Sequence, residues 1–125
     1  MYHATSALLD SKLFHDFAEL MGDDLAMILG RHIEVSQGYL ASIREGVATQ
    51  NAKLVAQAAH PLKSSSYQIG ATRVGDIAKS LEHLAKSDVL DMAQIGALAQ
   101  ELELAQHATC DALAPHLVVK QARQG

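Results

Sequence analysis

An apolar stripe that recurs every three or four residues between positions 25 and 47 is the strongest restriction on how this chain folds. One α-helix turn takes 3.6 residues, so residues with this period gather on one face, whereas a strand requires strict alternation. The stripe spans about six turns and consists of Leu25, Ile28, Leu29, Ile33, Leu40, Ile43 and Val47. The 125 residues also include 21 Ala and 17 Leu, both strong helix formers, and only two prolines. Together these features predict an all-α domain.

Four further segments show the same period, and residues that commonly cap or end helices mark their limits. They cover about residues 10–21, 51–69, 72–86 and 91–115. Asn51 and Thr72 are expected N-caps, and Gly70 is expected to end the helix before it in a left-handed conformation. In the first segment the apolar residues at helical spacing are Leu9, Leu13, Phe17 and Leu20.

The short joints between the four long helices predict how they are arranged. Long amphipathic helices joined by about two to five residues pack as antiparallel neighbours. We therefore expect an up-down-up-down antiparallel four-helix bundle, with the short additional N-terminal helix covering one end. A single domain is expected over residues 1–125, with its core in about residues 8–117 and a polar, frayed tail at 118–125.

Charge and composition exclude several classes of function. A net charge of −4 argues against nucleic-acid binding, and no apolar run approaches the ~20 residues that span a membrane. Cys110 is the only cysteine, so it forms no internal disulfide, and no secretory signal is visible; both features favour a cytoplasmic location. Motifs such as HExxH or CxxCH, which would hold zinc or haem, are absent, so no metal is expected.

The outward face of the third helix carries an unusual set of side chains. His60 lies nearly opposite the apolar stripe of this helix, and Lys63 and Ser64 are its neighbours one turn on. Helical phase places Tyr67 on the same face two turns on. Lys53 and Gln57 precede His60 there. By itself, a solvent-facing histidine or lysine usually belongs to an ordinary solvated surface.

The residues around His60 give it a more specific interpretation. The run His60-Pro61-Leu62-Lys63-Ser64-Ser65-Ser66, followed after three residues by Gly70-Ala71, resembles the histidine phosphotransfer (HPt) family. The family pattern is His-x-Leu-Lys-Gly-Ser-Ser followed by Gly-Ala at the same distance. Leu81-Glu82 in the next helix also lies where such proteins often carry a Leu-Glu pair. The resemblance extends over about residues 8–117.

This resemblance implies a phosphocarrier that relays a phosphoryl group between aspartates of response-regulator receiver domains. His60 would be the phosphoacceptor, and Lys63 would neutralise the incoming phosphoryl oxygens. A hybrid sensor histidine kinase is the implied upstream partner. The chain itself would have no autokinase activity, because no glycine-rich ATP lid or nucleotide-binding segment is visible in it. It would need no cofactor, because the magnesium ion belongs to the receiver. The polar outer faces favour a monomer, and a dimer through the first helix is the alternative.

The chemistry of imidazole suits the role of phosphoacceptor. Neutral imidazole is a good nucleophile, and the ordinary histidine pKa of ~6.5 leaves most of it neutral at cellular pH.

The receiver is expected to dock on the exposed face of the third helix. Lysines give this side a positive character that suits a receiver's acidic pocket. The residues expected to face the receiver are Lys53, Gln57, Ser64, Tyr67 and Lys79.

Two interpretations of Glu82 remain open at this point. Its position at the edge of an apolar stripe lets it lean towards the third helix, accept from Nδ1–H of His60 and leave Nε2 free to attack. Related domains of chemotaxis kinases use a glutamate in this way. Alternatively, Glu82 is a surface residue paired with Lys79 or Lys86 at helical spacing.

The sequence departs from the family pattern at two positions. Ser64 replaces the glycine that leaves room for the receiver, which narrows the approach to His60 slightly. Pro61 removes a helical N–H donor, so the third helix either kinks or restarts there with His60 as its cap. We expect a kinked but continuous helix. Gly75 in the fourth helix is expected to permit close helix approach.

Two other classes of function remain as alternatives. One is a helical adaptor or dimerisation module in which His60 has no chemical role. The other is a helical bundle that holds a metal or haem through its histidines and methionines. Phosphate on His60 would separate the first alternative from a phosphocarrier, and absorbance and metal content would test the second.

Overall fold

The computed structural model describes residues 6–118, and all regular secondary structure in that range is helical. The long elements are α1 (Ser11–Met21), α2 (Leu25–Ala48), α3 (Ala52–Gln68), α4 (Thr72–Ala85) and α5 (Met92–Leu113). Short 3₁₀ turns follow α1 at Gly22–Asp24 and α5 at Ala114–His116. The predicted all-α class is confirmed. Apart from Val118, the predicted polar tail lies outside the described residues.

Helices α2 to α5 form the predicted four-helix bundle. Contacts join α2 to α3, α3 to α4, α4 to α5, and α5 back to α2, so the four helices close around one core. Short joints make sequential helices neighbours, and each helix points its apolar stripe inwards. Side chains of the core that are wholly buried include Val55, Leu62, Val74, Leu81, Ile95 and Leu102. No described helix is long and apolar enough to cross a membrane.

Helix α1 covers one end of the bundle, as predicted, and only some of its regularly spaced apolar residues are buried there. Phe14 and Phe17 are buried in a cluster with Leu29, Ile69 and Leu113. Leu13 and Leu20, which have the same helical spacing as Phe17, are 46% and 78% exposed. The difference arises because α1 packs against the end of the bundle through the two large aromatic rings, which bury more apolar surface than the leucines.

The joint between α3 and α4 ties α1 to the bundle. Gly70 has a φ of +85°, the left-handed conformation that its place after α3 predicts. Its carbonyl oxygen accepts from the Asp10 backbone N–H at 2.8 Å. The prediction that Thr72 caps α4 is wrong. Ala71 holds the cap position, and the Thr72 hydroxyl instead donates to the Ala7 carbonyl at 2.9 Å, which anchors the N-terminal segment.

Helix α3 runs without interruption through Pro61, so the helix does not restart with His60 as its cap. It packs against both α2 and α4, which buries a wide arc of its surface. Ala59 and Leu62, on either side of the His60–Pro61 pair, are wholly buried. What remains exposed is a narrow ridge, and His60 lies on it.

Candidate functional site

His60 projects from the middle of α3 into solvent. Its side chain is 61% exposed, in agreement with the helical phase of the sequence. The backbone beneath it is held by the buried residues of α3, so the exposed ring stands on a rigid support. An exposed ring on a rigid helix is accessible to a second macromolecule without any rearrangement of the bundle.

Glu82 reaches across from α4 and contacts the ring. It is a buried residue, only 6% exposed, and its Oε2 lies 2.9 Å from Nδ1 of His60. An ionised carboxylate only accepts hydrogen bonds, so Nδ1 must be the donor. In the neutral ring the other nitrogen, Nε2, then carries the lone pair.

Two lysines complete the environment of Glu82. Lys63 Nζ donates to Oε1 at 2.8 Å, and Lys86 Nζ donates to Oε2 at 3.0 Å. Burial alone would raise the pKa of Glu82, but the hydrogen bonds from Lys63, Lys86 and His60 outweigh burial and lower that pKa from 4.5 to about 2. The carboxylate is therefore ionised throughout the physiological pH range.

Both contacts proposed for Glu82 from the sequence exist at once. The carboxylate bonds to His60 on α3 and also to Lys86 one turn along α4. Glu82 is nevertheless not the surface residue of the second interpretation, because its side chain is buried between the helices. Lys86 entered the sequence analysis only as an alternative partner of Glu82. Its i,i+4 spacing was the signal that could have placed it in the site.

His60 borders two open clefts that contain most of the predicted surface residues. The first runs along α4 and holds Lys63, Lys79 and Lys86 with His83 and Asp76. The second lies between the start of α3 and the end of α4, where Lys53, Gln57 and Lys86 surround an apolar floor. That floor consists of Ala52, Ala56, Ala85 and Leu90. The His60 ring therefore lies between one cleft rich in lysines and a second cleft lined by both polar and apolar side chains.

Two predicted surface residues differ in their exposure. Ser64 is exposed, and its hydroxyl lies 3.4 Å from the His60 carbonyl oxygen. The prediction that Tyr67 presents its ring to solvent is only partly right, because the residue is half-buried. Its ring packs over Gly75 of α4, and its hydroxyl donates to Asp76 Oδ1 at 2.6 Å. The close contact at Gly75 is therefore made by the Tyr67 ring, and the predicted close approach of the helices themselves stays a prediction.

The described residues contain no group of three or more histidine, cysteine, aspartate or glutamate side chains that could hold a metal ion. The chemistry of the site, as the structure presents it, comes from an imidazole, a carboxylate and two ammonium groups.

The fold and site define a class of protein: a four-helix bundle that presents a histidine, in contact with a buried carboxylate, on an exposed helix face. The chain is similar to the crystal structure of histidine-containing phosphotransfer protein B (HptB) from Pseudomonas aeruginosa PAO1. The two share 20% sequence identity with a TM-score of 0.83, over 90% of this chain and 96% of the other. A search of curated proteins found no match.

The Hpt domain family matches residues 27–124, which is most of the chain. The chain therefore belongs to the Hpt domain family, as the motif around His60 predicted. Hpt domains are phosphocarriers rather than kinases, and they act with response regulators and kinases in phosphorelays.

Proposed function

We propose that this chain relays a phosphoryl group between aspartates of response-regulator receiver domains, and that His60 carries it as a phosphohistidine. The observation that best supports this proposal is the contact of His60 Nδ1 with the buried, ionised Glu82. This contact fixes the tautomer in which Nε2 is the nucleophile. A solvated histidine without a role would not need a buried carboxylate from another helix.

The transfer forms one bond to phosphorus and breaks another. The Nε2 lone pair attacks the phosphorus of a receiver phosphoaspartate, an N–P bond forms, and the bond from phosphorus to the aspartate oxygen breaks. The leaving group is the aspartate carboxylate, which keeps the electron pair. His60 retains its proton on Nδ1, so the ring becomes positively charged, and Glu82 at 2.9 Å stabilises that charge. The reverse sequence delivers the phosphoryl group to a second receiver.

Lys63 is proposed to stabilise the phosphoryl oxygens. It lies three residues after His60, on the same side of α3, and its ammonium is held at Glu82 Oε1. A long lysine side chain needs only rotamer changes to move from the carboxylate to a phosphoryl group nearby. Phosphoryl transfer depends chiefly on positioning and charge stabilisation, which is what this ammonium supplies.

The two clefts beside His60 are the proposed receiver surface. Lys53 and Gln57 contribute to one side of the ring and Lys79 to the other, with exposed Ser64 one turn away on α3. The cations would attract the acidic pocket of a receiver. Because Tyr67 is half-buried, we propose that it supports this surface by holding α4 against α3.

Further properties follow from the same proposal. The chain would act as a monomer in the cytoplasm, where its receiver partners are, and an upstream hybrid sensor kinase would supply the phosphoryl group. It would have no autokinase activity. No observation specifically favours an adaptor or a metal-holding bundle.

Replacement of His60 tests the proposal directly. After incubation with a phosphorylated receiver, the parent protein should gain phosphate that is labile in acid and stable in alkali, whereas His60→Gln should gain none. The exposed ring packs little, so both proteins should unfold at similar temperatures. His83→Gln is the matched control, because His83 is an exposed histidine in the first cleft. Phosphate on His60→Gln at the parent rate would refute the assignment.

A further inference from the structure

The two oxygens of the Glu82 carboxylate have different partners. Oε1 accepts from Lys63, whereas Oε2 accepts from both His60 Nδ1 and Lys86. The oxygen that orients the ring is therefore also the oxygen that Lys86 holds. Lys63 donates to the other oxygen, Oε1, whereas the hydrogen bond of the ring goes to Oε2.

The two lysines also differ in where they are attached. Lys63 is on α3 beside His60, where an incoming phosphoryl group arrives. Lys86 follows Glu82 by four residues, at the C-cap position of α4, so its contact with Glu82 is an i,i+4 pair within one element. A docking receiver can draw Lys63 away from Glu82 without disturbing the pair formed by Lys86 and Glu82.

When Lys63 leaves the carboxylate, Glu82 loses one of its counter-charges, and a second cation is needed to compensate for that loss. Glu82 is buried, and a buried carboxylate that loses its counter-charge is strongly destabilised. Without another partner, it would turn towards water and release Nδ1 of His60. Lys86 is already bonded to Oε2 and supplies that charge at the oxygen where the ring needs it.

We propose, on the basis of the phosphocarrier function above, that Lys86 is a positioning residue that keeps Glu82 Oε2 on Nδ1 of His60 while Lys63 is engaged with the phosphoryl group. Lys63 then acts on the transferred group and Lys86 acts through Glu82 on the ring. The two lysines have separate roles although both bond to the same carboxylate.

The test measures the tautomer of His60 by ¹⁵N NMR on protein with ¹⁵N-labelled histidine. The spectrum is recorded at about pH 8.5, well above the ordinary histidine pKa of about 6.5. Lys63→Met imitates the departure of Lys63, and this variant should keep the Nδ1–H tautomer of the parent. Adding Lys86→Met should convert most of the His60 population to Nε2–H. Adding Lys86→Arg instead should preserve Nδ1–H, because arginine can also donate to Oε2.

Controls separate positioning from a general loss of structure or charge. Lys12→Met removes a lysine from another i,i+4 pair, with Asp16 at 2.9 Å on α1, and should leave the His60 signals unchanged. The remaining histidines in the same spectrum report whether the fold is intact. If the Lys63→Met, Lys86→Met double variant keeps the Nδ1–H tautomer at the parent level, the role assigned to Lys86 is wrong.

Transfer rates from a phosphorylated receiver give a second readout. Lys63→Met and Lys86→Met should each slow transfer, by about 10-fold and about 3-fold, and Lys86→Arg should restore the parent rate. A parent-like rate in Lys86→Met would contradict the proposal. The tautomer is measured without a receiver, so if no protein accepts phosphate, the proposed function fails while the tautomer still decides the role of Lys86.

Discussion

Glu82 is the residue on which the geometry of the site depends. Its carboxylate, buried between α3 and α4, contacts His60, Lys63 and Lys86. The sequence could place His60 and Lys63 on one exposed face, because helical phase is a local property. It could not decide between the partners of Glu82, because that choice depends on how closely α4 approaches α3, and no local pattern encodes this distance.

The low pKa of Glu82 predicts how stability depends on pH. Its pKa in the folded protein is about 2, below the ordinary 4.5, so its contribution is complete above about pH 5 and is lost as the pH falls from 4.5 towards 2. Glu82→Gln should therefore be less stable than the parent at neutral pH, by about 1–3 kcal/mol. This difference should shrink on acidification.

Urea unfolding of both proteins at about pH 7, 5 and 3 checks this expectation. Glu103→Gln serves as the control, because Glu103 forms an exposed pair with Arg44. Such pairs contribute about 0–1 kcal/mol, so this variant should remain close to the parent. A difference between Glu82→Gln and the parent that is the same at all three pH values would contradict the assigned role of the ionised carboxylate.

At the scale of helices, the Tyr67 ring of α3 packs closely over Gly75 of α4. A Cβ atom added there would lie 2.5 Å from Tyr67 Cε1, which is closer than non-bonded carbons approach. The sequence marked Gly75 as a site of close approach. The partner was not predictable, because helical phase alone put Tyr67 on the outer face, whereas its ring packs over Gly75 in the gap that the glycine leaves.

The effect of Gly75→Ala on the free energy of unfolding should therefore have opposite signs in the presence and in the absence of the Tyr67 ring. In the parent it should destabilise the fold by about 1–3 kcal/mol, because the rigid Tyr67 ring must move. In a Tyr67→Ala background the same change should stabilise by about 1 kcal/mol, the ordinary preference of a helix for alanine over glycine. A double-mutant cycle by chemical denaturation measures both values. Equal effects in the two backgrounds would show that the ring does not depend on Gly75.

The continuity of helix α3 was predictable from the sequence, but the buried side of α1 was not. Apolar residues before and after Pro61 keep one phase, and this correctly predicted a continuous helix. In α1, by contrast, Phe17 is buried although Leu13 and Leu20, which share its helical spacing, remain largely exposed. The spacing of apolar residues identifies a helix, but the elements that the helix packs against determine which of its sides is buried.

For the whole molecule, short joints and five amphipathic segments were enough to predict the four-helix bundle with its additional helix. Charge adds a prediction at this scale. The chain is acidic overall, at −4, yet the clefts beside His60 carry Lys53, Lys63, Lys79 and Lys86. This asymmetry should steer an acidic receiver towards the site and lose its effect as salt screens it.

A Lys53→Ala, Lys79→Ala double variant tests this steering. Its association rate with a receiver should fall by about 3- to 10-fold at about 0.05 M salt and approach the parent rate at about 0.5 M. Lys12→Ala, which removes a lysine from α1, is the control and should associate like the parent. Association by stopped-flow fluorescence gives the rates. A parent-like rate at low salt would remove these two lysines from the docking surface.

A ³¹P–¹⁵N correlation spectrum of the phosphorylated protein with ¹⁵N-labelled histidine identifies the nitrogen that carries the phosphoryl group. After transfer from a phosphorylated receiver, we expect a single N–P bond, at Nε2 of His60, with the proton retained on Nδ1. The chain has seven histidines, so the spectrum distinguishes His60 from six other candidates. Phosphorus bonded to Nδ1 of His60, to another histidine, or to no histidine would refute the assignment of His60 Nε2 as the phosphoacceptor.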